Sequence, residues 1–266
     1  MTPRSTLIGY MLMVDVVQGL HFDSVPNYSS NEFFIDMPNS RHAFRKSYGC
    51  LVGGHPLPSD VNGNEDALLL VLSLLSDIIR TYKTLPTTPA LRDVSISGRP
   101  PAPLTVAYET ACSQAVFAAA LARWRQHFPL VSPDILMLHH IAELLILVPG
   151  MCKFPRLAGY PHRTKPSRGI TRSHISEKAA DIAWRILDAS ECCRADSTAY
   201  LSIWLPVSVF LAALVVWQHL EGGAPVVRGL RSTRALTMFT KELERLHWPC
   251  CTEMIATINN LNEASK

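Results

Sequence analysis

Residues 105–128 decide the fold class, and they read TVAYETACSQAVFAAALARWRQHF. The large apolar side chains Phe117, Leu121 and Trp124 follow one another at four- and three-residue spacing in an alanine-rich background. Alanine has the highest intrinsic helix propensity, and this spacing gives a helix one apolar face. The stretch therefore predicts an amphipathic helix that packs against a core.

The helical pattern continues on both sides of this stretch. Residues 62–66 place a capping residue and two acids before an apolar run, which Pro86 ends. Ser132 before Pro133 is typical of a helix start, and Pro149 ends that helix. Further helices are expected at residues 7–20, 173–195, 198–220 and 232–260, the last with a kink at Pro249. The sequence predicts an all-α globular fold of about six to eight helices joined by long loops.

Three stretches are predicted to lie outside these helices. Residues 21–60 lack a helical period, so they are expected to form a long connection with one short extended piece. Residues 86–103 contain five prolines and predict an internal proline-rich loop. Residues 153–176 contain six basic residues and no acidic residue, which predicts a basic loop. A single domain over residues 1–266 is the simplest organisation for a chain of this length.

Charge and cysteine content give no sign of a nucleic-acid, lipid or secreted class. Lys and Arg number 25 against 22 Asp and Glu, a net charge of +3 that makes no strong demand for a polyanionic partner. The seven cysteines include two adjacent pairs and no C-x-x-C spacing. An odd count of this kind argues against a disulfide framework, and the N-terminus lacks the pattern of a signal peptide. A reducing intracellular compartment is expected.

Motifs for catalysis and for nucleotide or zinc binding are absent from the sequence. It contains no G-x-S-x-G elbow, no phosphate-binding loop, no G-x-G-x-x-G after a strand and no zinc cluster or zinc finger. The dipeptide Gly53-Gly54 before His55 is interpreted as an ordinary turn. No catalytic, cofactor-binding, metal-binding or DNA-binding residue is assigned, and the chain is not expected to be an enzyme.

The histidines His139 and His140 lie about one helical turn before Glu143, a spacing at which side chains can share a metal ion. A metal site needs further ligands, and the sequence offers no second motif of this kind. We interpret the group as a polar edge and assign no metal. A helical enzyme whose site is assembled from scattered residues, these included, is the second alternative for the function.

Residues 197–220 contain no Asp, Glu, Lys or Arg over 24 positions. Such a run is long enough to span a bilayer, which makes a membrane-associated helical protein the first alternative. Polar positions such as Ser202 and Gln218 and weakly charged flanks argue against a span. A helix buried on all sides of a core has the same composition, and we favour that interpretation.

Two N-terminal segments are similar to the fungal-specific transcription factor domain, also called the middle homology region. They are residues 11–15, MLMVD, and residues 25–38, VPNYSSNEFFIDMP, in which Asp15, Pro26 and Pro38 occupy the places expected of that family. Later segments resemble helices of family members that carry two-Cys, two-His zinc fingers: residues 138–145, 157–160, 180–185 and 204–217.

This resemblance implies an all-helical, non-catalytic regulatory domain that modulates transcription in the nucleus. Its expected partners are other transcription-regulatory proteins. In the family such a domain lies downstream of a zinc-containing DNA-binding module, and this chain lacks that module and the first helices of the domain. DNA contact is therefore expected only indirectly or through a missing zinc module, and the domain is expected to be truncated. No cofactor or small-molecule ligand is implied.

Overall fold

The computed structural model describes residues 3–84, 104–160, 175–195, 202–222, 226–227 and 230–264. Ten α-helices lie in these ranges: α1 (Pro3–Phe22), α2 (Phe44–Gly53), α3 (Asn64–Thr84), α4 (Leu104–His127), α5 (Pro133–Leu147), α6 (Phe154–Leu157), α7 (Glu177–Ala195), α8 (Leu205–Glu221), α9 (Ser232–Leu246) and α10 (Pro249–Ala264). Single 3-10 turns lie at Ser30–Glu32 and Met151–Lys153, and the two-residue strands β1 (Val226–Val227) and β2 (Leu230–Arg231) pair antiparallel. The all-α prediction is confirmed.

The helix count in the described ranges exceeds the predicted six to eight because α2 and α6 were not predicted and one predicted helix is two, α9 and α10. Helix α2 occupies part of the expected connection at residues 21–60. Its first residue follows Ala43, which provides no side-chain cap, so the sequence carries no start pattern there. Burial of Phe44 and Leu51 on one face stabilises it instead.

Two further departures concern predicted boundaries. The expected basic loop at residues 153–176 begins with the single-turn helix α6. The expected helix at residues 232–260 is two helices, α9 and α10, separated at His247, whose φ of 54° cannot continue a right-handed helix. Pro249, the predicted kink, is the first residue of α10.

The predicted extended piece within residues 21–60 is confirmed. Asp36 and Ala43 form an isolated antiparallel bridge, and the Phe44 amide donates to the Ile35 carbonyl at 2.9 Å. These bonds fold the chain back just before α2 starts. The proline-rich loop predicted at residues 86–103 and residues 161–174 of the predicted basic loop lie outside the described residues.

The chain divides into two compact units. The first comprises Met1–Val16 and Val25–Pro129, and the second comprises Val17–Ser24 and Leu130–Lys266. This division into two compact units does not test whether residues 1–266 fold as a single domain, so the single domain stays a prediction.

Helix α4 organises the first unit by contacting both α2 and α3. The Trp124 indole N–H donates to the Ala67 carbonyl of α3 at 3.0 Å, deep in the core. The Arg123 Nε–H donates to the Leu51 carbonyl of α2 at 2.8 Å. That carbonyl lies in the last turn of α2, where helical acceptors lack partners in the helix itself. One turn of α4 therefore fixes two neighbouring helices.

Helix α8 occupies the centre of the second unit, where it packs against α7, α9 and α10. Every residue from Leu205 to Gln218 is buried, which explains why the sequence has no charge there. The helix begins at Leu205 and not near residue 198 as predicted, and residues 196–201 lie outside the described residues. Just before it, the Trp204 indole N–H donates to the Asp134 carbonyl at 3.0 Å.

No single helix in the described ranges is both long enough and apolar enough to cross a membrane, and α8 is too short. Taken together, the segments Pro133–Leu147 and Met151–Leu157 have the length and composition of a membrane span, but a bend of 99° separates them.

Candidate functional site

Asp15 is a buried carboxylate on the apolar face of α1, with 5% of its surface exposed. It accepts a hydrogen bond from the Asn27 side-chain amide at 2.8 Å and one from the Tyr28 backbone amide at 3.0 Å. A buried charge is tolerated when donors replace its lost water. The only acid in the predicted first helix at residues 7–20 is therefore an anchor that holds the following loop against α1.

A second carboxylate, Asp77 on α3, joins three elements of the first unit. The Ser30 hydroxyl donates to Asp77 Oδ2 at 2.5 Å, and the Tyr48 hydroxyl donates to the same oxygen at 2.7 Å. Burial raises the pKa of Tyr48 well above its usual value, and the neighbouring Asp77 charge adds to this effect. Tyr48 consequently stays a protonated donor at neutral pH.

These side chains line a cavity of about 600 Å³ bounded by the Ser30–Glu32 turn, α2, α3 and α4. This volume suits a small molecule. Arg80 lies in the wall and donates from Nη1 to the Pro26 carbonyl at 2.7 Å, one of the five N–H donors that a guanidinium carries. Val116 and Phe117 supply an apolar side. The lining can hold a small carboxylate or polar molecule with an apolar portion.

The described lining offers hydroxyl groups, one thiol and one carboxylate. Cys112 supplies the thiol, and the described lining residues include no histidine that could activate it. Asp77 supplies the carboxylate, which accepts from the Ser30 and Tyr48 hydroxyls. The described wall therefore presents mainly hydrogen-bonding groups that can bind and orient a ligand.

No pattern in the sequence predicts this cavity. Ser30, Tyr48 and Asp77 come from three separate elements, and Asp77 lies 47 positions from Ser30 and 29 from Tyr48, so periodicity cannot connect them. The available indication was Asp77 itself, an acid in the otherwise apolar run of α3.

The structure also brings together the group that the sequence singled out on α5. His139 Nδ1 lies 3.5 Å and His140 Nδ1 lies 2.9 Å from the same oxygen, Glu143 Oε2. Burial disfavours the Glu143 carboxylate, but the hydrogen bond with His140 and the charges of both histidines and Arg185 outweigh it, so the Glu143 pKa lies below its usual value. Glu143 is therefore ionised at neutral pH.

The two adjacent cysteine pairs lie in different surroundings in the second unit. All seven cysteines are free thiols. A hydrogen bond from Cys251 lowers the pKa of the half-buried Cys250 to about 7, although burial opposes the shift. Burial, together with the charge of Asp134, raises the pKa of Cys193 to about 12. The pair at the start of α10 therefore carries the more reactive thiol.

Cys250 is expected to react with iodoacetamide faster than Cys193 at neutral pH. About half of a thiol with a pKa near 7 is thiolate at pH 7, whereas a thiol with a pKa near 12 is almost wholly protonated. Mass spectrometry after short pulses across pH 6–9 should show half-maximal Cys250 labelling near pH 7 and little labelling of Cys193. Replacing the donor, Cys251→Ala, should move the Cys250 profile to higher pH. Coincident profiles for Cys250 and Cys193 would refute the assignment.

Comparison of the chain with protein families, curated proteins and solved structures found no match.

Proposed function

We propose that this chain is a non-catalytic, all-helical regulatory domain of the fungal transcription factor type. It acts in the nucleus through contacts with other transcription-regulatory proteins, and the polar cavity of the first unit receives a small molecule that modulates those contacts. Contact with DNA is indirect or is made through a zinc module that this sequence does not contain.

The Asp15 anchor is the observation that carries the proposal. The two N-terminal segments that resemble the family, residues 11–15 and 25–38, are tied together by the bonds from Asn27 and Tyr28 to Asp15. The aspartate and the proline-containing loop therefore form one substructure, and their joint occurrence in the sequence has a physical reason. The same loop continues into Ser30, which donates to Asp77 at the cavity.

The cavity supports the regulatory part of the proposal. It lies between the anchored loop and three helices, so an occupant contacts several elements at once. A ligand that binds one arrangement of these elements better than another shifts the population towards that arrangement.

A cavity-filling substitution tests the proposal. The full chain is fused to a heterologous DNA-binding domain in yeast, and transcription of a reporter with the matching operator is measured. Val116→Trp places a large ring in the cavity wall, at a position that is 43% exposed and tolerates size. We expect it to change reporter output.

Ala119→Trp is the matched control, because Ala119 is exposed on the same helix and does not line the cavity. This variant should behave as the wild-type fusion. Equal output from the wild type and both variants, with all three folded and nuclear, would remove the cavity from the proposal. Output equal to that of the DNA-binding domain alone would refute the regulatory function itself.

A further inference from the structure

Three side chains with metal-binding chemistry converge on α5, which belongs to the second unit and does not line the cavity described above. One ligand atom each from His139, His140 and Glu143 lies within 4.8 Å of the other two. The helix provides this arrangement directly, since residues three and four positions before Glu143 lie on the same side of the helix as Glu143.

The separations match what one transition-metal ion requires. Zinc binds imidazole nitrogen and carboxylate oxygen at about 2.0–2.2 Å, which places ligand atoms about 3.3 Å apart around a tetrahedral ion. The Nδ1 atoms of His139 and His140 lie 3.5 and 2.9 Å from Glu143 Oε2, on either side of that value.

The surroundings leave one side of this group open to water. His139 is buried and the His140 side chain is 12% exposed, so both rings are held by the packing of α5. The Glu143 side chain is 32% exposed and marks the side from which an ion can enter. Because the two imidazoles are held in place and the carboxylate is partly exposed, water can reach the fourth coordination position of a bound ion.

We propose that His139, His140 and Glu143 form a binding site for a divalent first-row transition-metal ion such as Zn²⁺, with water as the fourth ligand. Two imidazoles and one carboxylate favour such ions over Mg²⁺ and Ca²⁺, which prefer sets of oxygen ligands. Binding replaces the hydrogen bond between His140 and Glu143, and the neutral His140 ring then carries its N–H proton on Nε2 while Nδ1 binds the ion. The site does not depend on the proposed transcriptional role.

Zinc titration of the chelator-treated full chain tests the site. Calorimetry at pH 7.5 should show saturable binding of zinc, and zinc should raise the thermal unfolding midpoint. Glu143→Gln keeps the size of the side chain but removes its charge, and His140→Ala removes one imidazole. Each should weaken binding at least about tenfold. Should His140→Ala fail to fold, Glu143→Gln carries the comparison.

His42→Ala is the matched control. His42 Nε2 also lies 2.9 Å from a carboxylate oxygen, that of Asp60, so it reproduces a histidine–acid pair without the second histidine. Zinc affinity should be unchanged in this variant. Absence of saturable binding below about 1 mM, or equal affinity in wild type, Glu143→Gln and His140→Ala, would overturn the proposal.

Cobalt distinguishes this site from binding by the free cysteines. Co²⁺ bound to nitrogen and oxygen gives visible d–d bands without the near-ultraviolet charge-transfer band of thiolate ligation. We expect the former spectrum, with the bands lost or weakened in Glu143→Gln. A thiolate band at one equivalent of Co²⁺ would place the ion on cysteines and overturn the assignment.

Discussion

Trp124→Ala should lower the free energy of unfolding by about 3–5 kcal/mol, the range for removal of a fully buried aromatic side chain. Trp124 has no exposed surface, packs against Phe128 with ring centroids 5.6 Å apart, and donates from its indole N–H to the Ala67 carbonyl. The substitution leaves a large cavity and removes the bond between α4 and α3. Urea unfolding of the full chain, followed by far-ultraviolet circular dichroism, measures the loss.

Trp124→Phe separates the two contributions. Phenylalanine keeps most of the buried ring area but cannot donate to Ala67, so a smaller loss of about 1–3 kcal/mol is expected. A Trp124→Ala variant with the wild-type midpoint and slope would show that α4 does not organise the first unit.

Asp77→Ala should lower the free energy of unfolding by about 2–5 kcal/mol. The substitution leaves two buried hydroxyls, those of Ser30 and Tyr48, without their acceptor, and each unsatisfied group costs about 1–3 kcal/mol. Asp77→Asn retains one carbonyl acceptor and should lose less. Chemical unfolding at pH 7 gives the comparison, and equal stability of all three proteins would contradict the network.

The hydrogen bonds of Ser30 and Tyr48 to Asp77 also predict that the free energy of unfolding falls at alkaline pH. The pKa of Tyr48 is raised in the folded chain, so the folded state holds this proton more tightly than the unfolded state does. The stability that Tyr48 contributes is complete below its unfolded-state pKa of about 10, and it is lost as the pH rises through its folded-state pKa. Asp77→Ala should reduce this alkaline loss, because the raised pKa depends partly on the Asp77 charge.

Helices with local boundary residues could be predicted closely from the sequence. The helix expected at residues 105–128 is Leu104–His127, and the one expected to start at Ser132 is Pro133–Leu147. Proline and capping residues act within one turn, so their effect is visible in a short stretch of sequence. The buried interpretation of residues 197–220 was drawn from composition alone, and α8 is buried from Leu205 to Gln218.

Features that depend on distant residues could not be predicted in this way. Helix α2 has no capping side chain and exists through the packing of residues such as Phe44. Asp77 meets Ser30 across 47 positions of sequence, and no period relates them. The family resemblance singles out Asp15 in the sequence, but only the fold identifies Asn27 and Tyr28 as its partners.

The group of His139, His140 and Glu143 on α5 could be predicted from the sequence only in part. Its spacing is visible in the sequence, where it was interpreted as a polar edge. Burial of His139 and the convergence of both histidines on one oxygen of Glu143 are visible only in the structure. These two facts motivate the metal titration.

Reporter output from the tethered chain tests the regulatory proposal most directly. The full chain, its Trp124→Ala variant and the heterologous DNA-binding domain alone are compared at equal nuclear abundance. We predict that the wild-type chain changes transcription relative to the DNA-binding domain alone and that Trp124→Ala loses this effect with its fold. Identical output from all three, with the wild-type fusion folded and nuclear, would contradict the account.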